Sequence, residues 1–166
     1  MQLDYSMVLG HDLRCSLKML NLSRRTDYGF YLLTLLAEQE DKALSLKQVA
    51  TAHTMSFLYL QEIAQILRRA GFVTARRGPN GGYRLDQPAR DISALDVIEA
   101  LEGPLYEETC MATDSGYTCT RAGKCPSRRG LAAVTERVLN VLATTSIADL
   151  VKASGVRVKI DQDVKV

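Results

Sequence analysis

The stretch SFLYLQEIAQILRRAGFVTARRGPNGGYRL, residues 56–85, decides the fold of this chain. Its first half repeats apolar residues at helical spacing, and Ser56 is placed to cap the start of that helix. Two arginines followed by Gly71 are typical of a helix end. The second half has two short runs of strand-forming residues, Phe72 to Arg76 and Tyr83 to Leu85, joined by a glycine-rich turn. The stretch therefore predicts a helix followed by a β-hairpin.

Further helices are predicted on both sides of this stretch. Upstream, Thr26 or Asp27 is expected to cap a helix that runs to about Gln39. Ser45 then opens a short second helix with an S-x-x-Q capping box. Downstream, Ser93 caps a fourth helix that ends at a Gly-Pro pair. Two helices joined by a tight turn and followed by a two-stranded hairpin form a winged helix-turn-helix, so we predict a mainly α fold.

The C-terminal part is predicted to hold a long amphipathic helix from about Pro126, followed by a short helix capped by Ser146. Its apolar face is expected to pair with a second copy of the chain, although it could also pack on its own domain. The predicted parts are an N-terminal extension (1–18, flexible), a winged helix-turn-helix domain (19–104), a cysteine loop (105–126), dimerisation and terminal helices (127–154) and a flexible tail (155–166).

Composition narrows the class of protein. The 166 residues carry a formal net charge of +2, which alone does not indicate a nucleic-acid partner. No apolar run is long enough for a membrane span and no signal peptide is recognisable, so we expect a cytoplasmic protein without a membrane partner. An enzyme is not expected, because no C-x-x-C motif occurs and neither His11 nor His53 lies in a catalytic constellation.

Five residues are predicted to contact double-stranded DNA. Ser56, Tyr59 and Gln61 lie in the first turns of the helix that would enter the major groove. Arg76 and Arg77 lie beside the turn of the hairpin. From there they are expected to reach a narrow minor groove of DNA, whose negative potential attracts arginine. The alternative is that all five are ordinary solvated surface residues.

Three cysteines, Cys110, Cys119 and Cys125, lie in one polar loop, separated by eight and five residues. An odd number argues against structural disulfides, and zinc usually shows closely spaced cysteine pairs that are missing here. Iron–sulfur clusters accept looser spacing and a fourth ligand other than cysteine. The loop therefore favours an iron–sulfur cluster, of two-iron or four-iron type, while zinc and redox-active thiols remain open.

A resemblance to a known family rests on the cysteine loop and on four segments: LSRRTDYGFYLLTLLA (22–37), SFLYLQEIAQILRRAGFV (56–73), RRGPNGGYRL (76–85) and ISALDVIEALEGP (92–104). Together they resemble the Rrf-two family of bacterial regulators, which includes the IscR, NsrR and RirA types. The resemblance implies a homodimer with a cluster near its interface. It also implies that the state of the cluster changes the affinity of the protein for a palindromic promoter site. It matches Tyr59, Gln61 and Arg77 to DNA contacts and the three cysteines to cluster ligands.

The resemblance leaves the fourth cluster ligand open. The IscR type places a histidine three residues after its last cysteine, where this chain has Arg128, which cannot ligate a metal. In the NsrR type, an aspartate at the start of the first helix can ligate from the partner subunit, and Asp27 matches that position. Asp27 could equally be a helix cap. The expected function is a DNA-binding transcription regulator that senses iron or cluster status, oxygen or redox state; alternatives are a nitric-oxide-sensing repressor and a cluster-free regulator.

Overall fold

A computed structural model describes residues 23–39, 42–78, 81–105 and 124–155. The predicted N-terminal extension, Cys110, Cys119 and the tail beyond residue 155 lie outside these ranges. The helices are α1 Arg24–Glu38, α2 Leu46–Ala52, α3 Phe57–Arg69, α4 Ala94–Glu102, α5 Arg128–Thr144 and α6 Ile147–Ser154, and the strands are β1 Val73–Arg76 and β2 Gly82–Leu85.

The predicted mainly α, winged helix-turn-helix fold is confirmed. Helix α1 lies at the centre and packs against α3, α4, α6 and the wing strand β2. Its leucines Leu32, Leu33 and Leu36 are fully buried in the same core as Leu60 and Ile63 of α3. Each such side chain contributes roughly 1.5–3 kcal/mol through removal of its surface from water. This shared core fixes α3 in one orientation on the domain.

The wing is an antiparallel pair in which Val73 faces Leu85 and Arg76 faces Gly82. Its base is tied to the segment before α2, because Leu44 and Tyr83 exchange backbone hydrogen bonds of 2.8 Å in both directions. The wing therefore has a defined position relative to α2 and α3.

Most predicted helix starts are confirmed, with three corrections. Ser56, Ser93 and Ser146 cap α3, α4 and α6 as predicted. The cap of α1 is Ser23, whose side chain accepts from the Arg25 N–H, so the prediction of Thr26 or Asp27 was wrong. The side chain of Thr26 is instead fully buried.

The other two corrections concern α2 and α5. Ser45 occupies the N-cap position of α2 but its side chain makes no capping hydrogen bond. The long helix α5 begins at Arg128 after Ser127, slightly later than the predicted start near Pro126. No residue of α5 is buried, and its apolar residues Leu131, Val134 and Val141 are 48–60% exposed. Within the described ranges, no helix is long and apolar enough to cross a membrane.

We predict that Gly82→Ala destabilises the protein by about 1–3 kcal/mol. A Cβ atom at this position would overlap the backbone carbonyl of Leu44, which is held by its bridge to Tyr83 and cannot move away cheaply. Chemical unfolding of the two proteins measures the difference. Gly130→Ala in α5 is the matched control: open space surrounds Gly130, so this change should be neutral or stabilising. Equal stability of Gly82→Ala and wild type would contradict the wing attachment described above.

Candidate functional site

The outward face of α3 is set by its buried face. Leu60, Ile63 and Leu67 are fully buried against the core. At 100° per residue, the opposite face carries Leu58 and Gln65. Helix α3 follows α2 after a short turn, as the recognition helix does in a helix-turn-helix. Its outward face is therefore the one that a recognition helix turns towards DNA.

The structure separates the three DNA-contact residues predicted on α3. Ser56 is exposed at the N-cap, and its oxygen accepts from the Tyr59 N–H at 3.4 Å. Gln61 is half-buried and lines a shallow open pocket of about 230 Å³ between α2, α3 and the wing. Tyr59 is half-buried on another side, with its ring 5.4 Å from that of Tyr28 in an edge-on contact. Tyr59 therefore also helps to hold α3 against α1.

The predicted wing residues Arg76 and Arg77 are both exposed. The pocket beside Gln61 is lined on its far side by the wing residues Gly81, Gly82 and Tyr83, and on α2 by Lys47. Gln61 and the base of the wing thus face the same space, and Lys47 places a cation beside it. Arg25 of α1 lies 3.5 Å from Glu62 and offsets the charge of that exposed carboxylate on α3. Such a surface suits the phosphates and base edges of DNA.

A second group of polar residues joins the start of α1 to the end of α4. One carboxylate oxygen of Glu102 accepts hydrogen bonds from the backbone N–H of Ser23 at 3.1 Å, from the Ser23 hydroxyl and from the Thr26 hydroxyl at 2.5 Å. Arg25 also donates to the backbone carbonyl of Leu101 at 3.4 Å. We call Ser23, Arg25, Thr26 and Glu102 the α1–α4 junction. Sequence reasoning missed Glu102, although its place at the end of α4, directly before the cysteine loop, was visible.

The pKa values of two neighbouring carboxyl groups, Glu102 in this junction and Asp27 beside it, are shifted in opposite directions. Partial burial by itself would raise the pKa of Glu102, but the hydrogen bonds from Ser23 and Thr26 outweigh it and hold that pKa below its ordinary value. Partial burial, and then the negative charge of Glu102, raise the pKa of the neighbouring Asp27. Asp27 thus lies within electrostatic range of Glu102, the residue that ends α4 shortly before the cysteine loop, and it is not the cap of α1.

Of the three cysteines among the predicted cluster ligands, the described part of the chain contains Cys125. Its thiol is free and half-buried, and its backbone carbonyl accepts from the Arg128 N–H at the start of α5. Within the described residues, no three His, Cys, Asp or Glu side chains lie close enough together to hold a metal ion. The ligand set therefore depends on Cys110 and Cys119, which lie outside the described ranges.

We call the exposed sides of α3 and of the wing, with the pocket between them, the α3–wing surface. The fold and this surface define a DNA-binding regulator of the winged-helix class. A family model described as "Rrf2: Iron-dependent Transcriptional regulator" matches residues 22–153. The chain belongs to the Rrf2 family, which consists of transcription regulators and not enzymes.

Known relatives cover most of the chain. Protein aau3 of Rhizobium meliloti is 32% identical over 134 residues, which are 81% of this chain and 86% of that protein. The structure of CymR, the global cysteine regulator of B. subtilis, matches with a TM-score of 0.66 and 30% identity, over 80% of this chain and 96% of that one. The IscR structure of T. potens matches with a TM-score of 0.63 and 28% identity, over 80% and 87%.

We predict that Glu102→Gln lowers stability at pH 7 by roughly 1 kcal/mol, because its hydrogen bonds lose their charge assistance. The lowered pKa of Glu102 means that its carboxylate stabilises the fold above the ordinary pKa of 4.5, and that this stabilisation disappears as the pH falls through its folded value. Unfolding free energies measured from pH 7 to 3 should therefore converge for variant and wild type at low pH.

The exposed Glu99, one turn earlier in the same helix, provides the control, since Glu99→Gln removes an equal charge from a residue that is not part of the α1–α4 junction. A constant offset between Glu102→Gln and wild type across the whole pH range would contradict the role assigned to the carboxylate.

Proposed function

We propose that this regulator works as a homodimer, binds a palindromic promoter site in double-stranded DNA, and adjusts its affinity through an iron–sulfur cluster that reports iron or cluster status, oxygen or redox state. The observation that carries the proposal is the position of Cys125. This thiol lies just before α5, the helix whose apolar side chains are uncovered, so a group bound there would lie beside the proposed subunit interface.

A second copy of the chain is the occupant we propose for the apolar face of α5. Leu131, Val134 and Val141, together with Val138 and Leu142, repeat at helical spacing along one side of the helix. Three of these side chains are about half exposed or more, and a monomer gains nothing from leaving them in water. Two copies paired along α5 would present two recognition helices to half-sites about 34 Å apart.

DNA contact is assigned to the α3–wing surface. Ser56 is exposed at the start of α3, and Gln61 faces the pocket. Arg76 and Arg77 are exposed on the wing. Tyr59 is kept as a DNA contact through its hydroxyl group only, since its ring packs on Tyr28. In this arrangement α3 reads base edges while the wing neutralises phosphates or enters the minor groove.

The donor set fits an iron–sulfur cluster chemically. Cys110, Cys119 and Cys125 supply three thiolates, and Asp27 supplies a carboxylate from the same or the partner subunit. A bound cluster would supply a centre that reacts with oxygen, oxidants or nitric oxide. The protein's own contribution is the attachment of the loop. Its N-terminal end follows Glu102 of the α1–α4 junction, and its C-terminal end, with Cys125, lies just before α5. A change in the loop is therefore connected both to the DNA-binding domain and to the proposed interface.

One comparison favours a second candidate, a cluster-free regulator that uses its thiols directly or binds zinc. The CymR structure that resembles this chain belongs to a protein described as a cysteine regulator. Metal content separates the two candidates.

We predict that protein purified and reconstituted without oxygen is coloured and contains iron and acid-labile sulfide, with visible absorbance. Cys125→Ser should lose most of this absorbance because one of three thiolates is gone. Cys15→Ser, which changes the one cysteine outside the cysteine loop, should keep it. Absorbance spectra with iron, sulfide and zinc analysis provide the measurement. Colourless protein with stoichiometric zinc, or with no metal and regulation by thiol oxidation, would replace the cluster with the second candidate.

We predict that Val134→Asp converts the dimer to a monomer, since a charge placed in the apolar stripe of α5 would be buried without a partner. Ala133→Glu, an exposed change on the other side of α5, serves as control and should leave the dimer intact. Analytical ultracentrifugation gives the oligomeric state, and circular dichroism verifies that both variants fold. A wild-type monomer at micromolar concentration, or a dimer that tolerates Val134→Asp, would disprove the α5 interface.

A further inference from the structure

Two large apolar side chains are exposed in the first turn of α3. Leu58 is 75% exposed, the highest value among the exposed large hydrophobic residues described, and Phe57 is 41% exposed. Neither position is needed for the core, which α3 enters through Leu60, Ile63 and Leu67. Adjacent exposed apolar side chains with polar residues around them are a feature of interaction surfaces.

The position of these side chains limits what that partner can be. Leu58 lies on the outer face of α3, one turn before Gln61 and two turns before Gln65. Phe57 lines the pocket together with Gln61, Lys47 and the base of the wing. Lys47 and Gln61 lie beside Phe57, and the carboxylate of Glu62, one turn after Leu58, is offset by Arg25. These polar surroundings favour a partly apolar, anionic partner over an apolar protein surface.

The major groove of DNA offers one apolar group, the methyl on C5 of thymine. The first residues of a recognition helix are those that reach base edges in this groove. The amides of Gln61 and Gln65, on the same side of α3 as Leu58, have the donor and acceptor pair that adenine requires.

We propose that Leu58, with Phe57 beside it, packs against thymine methyl groups in each half-site, so that the protein selects thymine at one or two positions by apolar contact. This inference rests on the proposed DNA-binding surface and adds to it the chemical group that is recognised. It assigns sequence discrimination to side chains that make no hydrogen bonds through their own atoms.

The test removes the methyl group and nothing else. Operator duplexes are first selected from a random pool with the full-length protein, and each thymine of the half-site is then replaced singly by deoxyuridine. Wild-type protein should lose affinity by about three- to tenfold at one or two positions, the factor that burial of one such carbon group gives. Deoxyuridine at flanking positions should have no effect.

The matched protein variant is Leu58→Ala, which should fold normally because the side chain is mostly exposed and alanine is a good helix former. Leu58→Ala should bind the thymine operator more weakly than wild type does, but should distinguish thymine from deoxyuridine less than twofold at the sensitive position. Leu58→Met, which restores apolar length, should recover part of the discrimination.

The outcomes are distinct. If no operator is selected from the pool, the proposed DNA function fails and this inference fails with it. If an operator is bound but wild type tolerates deoxyuridine at every position, only the inference fails. If deoxyuridine weakens wild type and Leu58→Ala equally, the methyl group is recognised by another residue and the assignment to Leu58 is wrong.

Discussion

The packing of α3 on α1 is the constraint on which the rest of the structure depends. Leu60, Ile63 and Leu67 enter a core shared with the leucines of α1, and the edge-on contact of Tyr59 with Tyr28 adds a second hold. Once these side chains are buried, the rotation of α3 about its axis is settled, and the opposite face must point outward. The proposed DNA-binding face of α3 is thus a consequence of how the core is filled, because it consists of side chains that the core leaves exposed.

Two further attachments build a regulator on this core. The exchange of backbone hydrogen bonds between Leu44 and Tyr83 holds the wing beside the start of α2, so that Tyr83 lines one pocket together with Lys47 of α2 and Gln61 of α3. The α1–α4 junction places the start of the cysteine loop at the first turn of α1, through the carboxylate of Glu102. Its far end leads into α5, which has no buried residues of its own. In the chain, the loop therefore connects the end of α4 with a helix whose apolar side chains are exposed.

Local patterns in the sequence predicted the elements well and their contacts less well. The caps at Ser56, Ser93 and Ser146 were predictable because a serine side chain bonds to the backbone only a few residues away. The cap of α1 was misassigned, because Thr26 looks like a cap in sequence but is buried and bonded to Glu102, 76 residues later. Tyr59 was predicted to face DNA, and its edge-on contact with Tyr28 could not be inferred without the position of α1.

The sequence by itself determined the winged helix-turn-helix, because helical periodicity, capping and a glycine-rich turn act over a few residues and are written directly in the chain. It also placed three cysteines in one loop, and the family follows from residues 22–153. Only the tertiary structure decided that Tyr59 packs on Tyr28, that Glu102 binds the start of α1, and that the stripe of α5 is uncovered. These depend on distant segments that meet in space, and the free energy of burying shared apolar surface, which no local pattern contains, decides how they meet.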